Sequence, residues 1–139
     1  MTRRGTTLIE QLIGLSLLSL LFGISVHGAS TLRDRLAVRA ARHAVRDALA
    51  FARERAIAGG TRVAVRIDRA RSRVVVHVGT DTLYRAPLAS TWGVALDATR
   101  DSTAYGASGL GVGAANLSLI LRRGALADTI TVSRLGRVK

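Results

Sequence analysis

MTRRGTTLIEQLIGLSLLSLLFG, residues 1–23, decides how the rest of the chain is read. Two arginines and a glycine precede an apolar run, and one ionisable side chain, Glu10, stands at its head. From Gln11 to Leu32 there is no Asp, Glu, Lys or Arg. As a helix this stretch of 22 residues is about 33 Å long, enough for the hydrocarbon core of a bilayer. A carboxylate there is expensive, so Glu10 needs either a partner or a place in the first turn from which it snorkels to the headgroups. A secretory signal peptide is the competing reading. Arg3 and Arg4 would be its n-region and Gly28, Ala29 and Ser30 its small residues, but an acid at the head of the apolar run weakens the feature such signals need.

Past the apolar run, residues 33–58 keep a helical period without being uniformly apolar. Val38, Ala41, Val45, Ala48, Leu49, Ala52 and Ala56 recur at three- and four-residue steps, so one stripe packs on a sheet while the arginines face outward. The two segments read as one long helix, and Gly59-Gly60 ends it. The period then drops to two. Val63, Val65 and Ile67, a turn at 68–71, then Val74, Val76 and Val78 predict a β-hairpin with one buried face. Asp81–Arg85 and Trp92–Leu96 are weaker strand candidates. Leu117, Leu119 and Leu121, then Ile130 and Val132, restore the alternation. Between them YGASGLGVGAAN (105–116) follows no strand-to-helix context, does not match a phosphate loop, and reads as a mobile loop. The expected class is α+β: a long N-terminal helix, transmembrane in its first half and amphipathic in its second, packed on an antiparallel β-rich domain at 61–139.

The chain has 139 residues, 48% of them hydrophobic, and a single proline, which supports one folded domain plus an appendage. It lacks cysteine, so disulfides, thiolate metal sites and cysteine nucleophiles are excluded. Twenty of the 21 basic residues are arginine against nine acids, and the net charge of +12 favours phosphate, anionic lipid or an acidic partner. Genomic base composition accounts for the arginine bias equally well. Only the glycine-rich stretch 80–115 is neutral to acidic. His43 and Asp47, four apart on the helix, read as a solvated pair rather than metal ligands. Three scattered histidines, with no HExxH and no G-x-S-x-G, leave isolated acids such as Asp97 and Asp101, which read as turn residues. No catalytic residue, metal site or cofactor is expected.

Basic residues, then Gly5, then Thr6-Thr7-Leu8-Ile9-Glu10 and a hydrophobic helix resemble the class III leader of type IV prepilins and type II secretion pseudopilins. That resemblance implies that residues 1–5 are a leader, cut after Gly5 on the cytoplasmic face by a prepilin peptidase that N-methylates the new first residue, Thr6. Residues 6–32 are then the transmembrane segment. It also implies that Glu10 neutralises the N-terminal ammonium of a neighbouring subunit during filament assembly. Physics supports such a pairing, because deleting one partner of a buried ion pair costs about 3 to 5 kcal/mol. Two positions depart from the family: Thr6 replaces the usual phenylalanine or methionine, and His27 stands where many pilins carry a proline. Positive-inside counting, with Arg33, Arg35, Arg39, Arg42 and Arg46 after the span, would place the C-terminal domain in the cytoplasm. Long following domains translocate largely regardless of charge, and the resemblance implies the opposite orientation: N-terminus cytoplasmic, globular domain periplasmic, anchor in the bacterial inner membrane.

Along the rest of the chain FARERAIAGGTRVAVRI, TWGVALD and ITVSRLGRVK are similar to the minor pseudopilin GspH/FimT group. The resemblance implies a subunit near a filament tip, partnered by other pilins or pseudopilins and, in a secretion system, by exported cargo. The alternative it implies is a FimT-like minor pilin for DNA uptake, whose DNA-contacting element is a C-terminal Gly-Arg-x-Arg/Lys stretch, matched here by Gly136, Arg137 and Lys139. Arg122 and Arg123 are expected to join Arg134, Arg137 and Lys139 on one edge if residues 117–122 and 129–134 form a hairpin. A membrane-anchored binding protein that never assembles is the third class.

Overall fold

The computed structural model describes residues 7–113 and 117–139, the side chains of 24–27 excepted. Among the described residues one long helix, α1 (Leu8–Gly59), is followed by seven strands and one short helix. The chain divides into two compact units, Met1–Arg33 and Asp34–Lys139.

The first unit holds the apolar start of α1. Its described large apolar side chains from Leu8 to Phe22 are 56–78% exposed. The helix is long and apolar enough to cross a membrane. Its polar groups are also dealt with locally: the Ser16 and Ser19 hydroxyls donate to the carbonyls of Leu12 and Leu15 at 2.8 and 2.9 Å, so neither serine needs water.

In the second unit, α1 buries the stripe its sequence predicts, Val38, Ala41, Val45, Ala48, Leu49, Ala52 and Ala56, with Ala37 added at its start. Most of these are alanine or valine, and they belong to one hydrophobic core with the inward residues of the strands. β1 (Val63–Asp68) and β2 (Arg73–Val78) form the expected hairpin, with Val65 opposite Val76. β3 (Asp81–Pro87) adds to β2 and β5 (Ser102–Tyr105) to β1, giving an antiparallel sheet in the order β3-β2-β1-β5. β4 (Ala95–Ala98), β6 (Leu117–Arg123) and β7 (Leu126–Val132) make a second antiparallel sheet, and the C-terminal segment folds back on β7 through a Val132–Val138 bridge. The α+β class is the one the periodicities predict.

Three local expectations change. Trp92 is the last residue of a short helix, α2 (Leu88–Trp92), and not the first of a strand, because Gly93 turns the chain at φ +63° and β4 starts only at Ala95. Asp97 lies inside β4 instead of in a turn, and with Asp101 it flanks Arg69, at 4.0 and 2.7 Å. Over its described part, 105–113, the glycine-rich stretch is a hydrogen-bonded turn returning beside β5 and not an open loop. Tyr105 bridges Gly111, Gly106 N–H donates to the Leu110 carbonyl, and Val112 N–H donates to the Ala104 carbonyl. Residues 114–116 lie outside the described residues.

The turn after β1 ties the two sheets, through Arg69, whose Nη1 donates to the Ala98 carbonyl in β4, and through Ser72. Ser72, in the turn after β1, adopts a left-handed φ of +43°. Its carbonyl accepts from the N–H groups of Leu88 and Ala89 at the head of α2, and its hydroxyl accepts from Leu96 N–H in β4 at 3.1 Å.

Candidate functional site

Of the residues expected at the N-terminus, Gly5 and Thr6 lie outside the described residues. Glu10 sits in the first turn of α1 and is exposed. Its backbone N–H donates to the Thr7 carbonyl at 3.0 Å and to the Thr7 hydroxyl at 3.3 Å. Thr7-x-x-Glu10 therefore has the spacing of a capping box, with Thr7 accepting from the third helical N–H and an acid favoured by the helix dipole. This local stabilisation leaves the Glu10 carboxylate at the surface of the chain.

The five C-terminal cations do not share one edge. The hairpin expected of β6 and β7 does form, and its register is what separates them. Arg122 stands opposite Ala127, whereas Lys139 exchanges both backbone hydrogen bonds with Thr131, four residues further along β7. At about 3.3 Å per residue that is about 13 Å. Arg123 is engaged elsewhere: its Nε donates to Asp34 at 2.7 Å and its Nη1 to the Trp92 carbonyl, tying β6 to α1 and α2. Arg134, Arg137 and Lys139 are exposed on the turn and tail after β7, where Arg137 N–H donates to the Ser133 hydroxyl and the Arg137 carbonyl accepts from Ser133 N–H. Gly136, between them, has φ +78°, and a Cβ there would lie 2.6 Å from Cε1 of Tyr105.

A groove of about 620 Å³ runs between α1 and this C-terminal tail. Leu49, Ile57, Tyr105 and Val138 give it an apolar floor, while Arg46 and Arg53 from α1 and Arg137 from the tail bring guanidinium groups. Arg46 Nε is buried without a hydrogen-bond partner. Burial pushes the Tyr105 phenol above its usual pKa, partly offset by the Arg53 cation, so the phenol is neutral across the physiological range. The approach of the loop to α1 depends on Gly109, where a Cβ would meet Ile57 Cδ1 at 2.7 Å. Sequence reasoning missed this groove. The signal was present in Arg46, Ala50, Arg53 and Ile57, spaced by four, three and four and lying beside the core stripe, but the arginines were expected simply to face outward. His43 and Asp47 sit on α1, and no group of three or more metal-ligating side chains occurs among the described residues.

No family model matches the sequence, and no curated protein does. Solved structures do match the fold. The type IV minor pilin FimU of Pseudomonas aeruginosa superposes with a TM-score of 0.66 at 13% identity, over 76% of this chain and 89% of that one. The protein has the fold of a minor pilin. A second crystal form of FimU gives 0.62 at 11% identity, covering 73% and 90% of the two chains. The minor pseudopilin EpsH from the type 2 secretion system of Vibrio cholerae gives 0.53 at 16% identity, covering 77% and 94%. One of these pilin-like proteins is named for a pilus and the other for a secretion system, so the minor-pilin fold by itself does not choose between them.

Proposed function

We propose that this chain is a minor subunit of a pilin-like filament anchored in the bacterial inner membrane, a structural protein and not an enzyme. The observation that carries the reading is the minor-pilin fold joined to an apolar helix whose described large side chains, Leu8 to Phe22, are exposed. In this reading residues 1–5 are a leader removed after Gly5 by a prepilin peptidase, Thr6 becomes the N-methylated first residue, and 6–32 span the bilayer with the N-terminus cytoplasmic. The amphipathic helix 33–58 and the β-rich domain 61–139 stand in the periplasm. Glu10 meets the terminal ammonium of a neighbouring pilin or pseudopilin, and the subunit sits near the tip of a type II secretion pseudopilus or type IV pilus.

Intact-mass measurement on membrane-extracted protein tests it. Removal of five residues from 139 leaves a chain of 134 that begins at Thr6 and keeps the whole apolar segment. A chain beginning near Ser30 or Thr31 would mean signal-peptidase cleavage and would end the pilin reading.

The second reading, a FimT-like minor pilin that binds DNA, is favoured by the exposed cluster Arg134, Arg137 and Lys139 on a turn fixed by Gly136. Arg122 is set apart from that cluster and Arg123 is already paired, so the reading rests on three cations and not on five.

A further inference from the structure

Half-buried arginines in the second unit follow a pattern. Arg42 meets Asp128 at 2.6 Å, Arg73 meets Asp68 at 2.8 Å and Arg123 meets Asp34 at 2.7 Å. Arg46, one turn after Arg42 on α1, breaks it: the residue is half-buried, its Nε has no acceptor, and no carboxylate lies within ion-pair distance among the described residues. A buried donor left without a partner costs about 1 to 3 kcal/mol, and more when charged. Arg53 and Arg137 line the same groove and make no ion pair among the described residues either, so three guanidinium groups face one carboxylate, that of Glu54. The fork of an arginine matches a carboxylate or phosphate in geometry.

The floor narrows the choice. Leu49, Ile57 and Val138 present apolar surface beside the cations, and Ile57 is 52% exposed. A phosphodiester backbone is polar along its whole length and would leave that surface wet. An acidic side chain next to an apolar one satisfies both halves of the lining, and a groove of about 620 Å³ holds a few residues of extended peptide.

We propose that the groove between α1 and the C-terminal tail binds an acidic-apolar peptide segment of a partner protein. Arg46, Arg53 and Arg137 take its carboxylate, and the Leu49–Ile57–Val138 floor takes the neighbouring apolar side chain. The site lies wholly within the second unit, so it does not depend on leader cleavage or on filament assembly.

The test uses the full chain in non-ionic detergent and a fluorescein-labelled octapeptide alternating leucine with glutamate, read by fluorescence anisotropy. The glutamine counterpart of the peptide is expected to bind about tenfold more weakly, the scale of one lost charge-assisted hydrogen bond. Arg53→Gln and Arg137→Gln, both at exposed positions, should each weaken the glutamate peptide several-fold, and Glu54→Gln should strengthen it by removing a like charge. Ala50→Trp, at an exposed position on the groove wall, should abolish binding while the melting temperature stays put, and Arg122→Gln, away from the groove, should change nothing. Equal binding of the two peptides, or undiminished binding by the Ala50→Trp protein, overturns the proposal. Displacement of the peptide by a short DNA duplex whose own binding Ala50→Trp abolishes would assign the groove to nucleic acid instead, and would overturn it equally.

Discussion

Gly136 carries two constraints at once: φ of +78°, and a ring carbon of Tyr105 at 2.6 Å from where a Cβ would stand. Gly79 carries only the first, with φ of +56° and open space around it. Gly79→Ala should therefore lose about 1 kcal/mol for the left-handed conformation alone. Gly136→Ala should lose more than about 2 kcal/mol, because the buried Tyr105 ring has to move as well. Urea titration of both variants checks the difference, and equal losses would mean that Tyr105 yields freely. The glycine of the C-terminal Gly-Arg-x-Lys stretch thus has a structural reason to be there whatever the cations bind. Glu10 poses a similar choice between a local role and a partner. As a capping acid it acts together with Thr7, so Thr7→Ala and Glu10→Ala would do equal harm, at about 1 kcal/mol for a lost cap. As the partner of a neighbouring ammonium it acts alone. Glu10→Ala and Glu10→Val should then stay cleaved and membrane-embedded but fall out of sheared-filament fractions, while Thr7→Ala incorporates normally. Normal incorporation of both Glu10 variants would show that the carboxylate has no partner.

Among the elements, the β1–β2 hairpin carries a pH signature. The Arg71 backbone N–H and then the Arg73 guanidinium hold the Asp68 carboxyl below the usual carboxylate range, against an opposing desolvation effect. A lowered folded-state pKa means that this stabilisation is present above the unfolded value of about 4 and fades as pH falls through the folded value. The Asp68→Asn protein should accordingly lose less melting temperature between pH 5 and pH 3 than the native chain, and identical pH profiles would show that Asp68 contributes nothing. This hairpin was legible in the sequence because one face is buried and the other is not, so the burial of β1 alternates as the residues do; the same holds for β6 and for the helical stripe of α1. β5 was not legible. Thr103, Ala104 and Tyr105 are buried in succession, since the hydrogen-bonded 106–112 segment returns alongside the strand, and the period-two signal disappears. α2 has five residues, too few to show a helical period. The groove was hidden for another reason: Arg46 and Arg53 share a helix face, but Arg137 joins them only through tertiary folding, which no local pattern encodes.

For the molecule as a whole, the net charge of +12 sets a long-range attraction to any polyanion, and the fold decides where it acts. Three carboxylates already neutralise Arg42, Arg73 and Arg123, which removes those arginines from any external interface. The turn and tail after β7 keep Arg134, Arg137 and Lys139 exposed, and no Phe, Tyr or Trp after Tyr105 is present to stack on bases. Duplex binding there would rest on phosphate neutralisation, be independent of base sequence, and show dissociation constants of order 10⁻⁴ to 10⁻⁶ M at physiological salt. Labelled duplex titrated into the detergent-solubilised chain at several salt concentrations should therefore give a steep log–log slope. The Arg134, Arg137 and Lys139 triple alanine variant should flatten that slope by roughly 2 to 3 units, about one for each phosphate left unneutralised. Arg122→Ala, set apart from the tail by the register of the hairpin, should leave that cluster's contribution intact. Ala50→Trp, which fills the groove without removing a charge, should leave the slope where it was, separating a phosphate-binding tail from a peptide-binding groove even though Arg137 belongs to both. An unchanged slope in the triple variant, or no duplex binding even at low salt, removes the DNA-uptake reading and leaves the secretion pseudopilin standing.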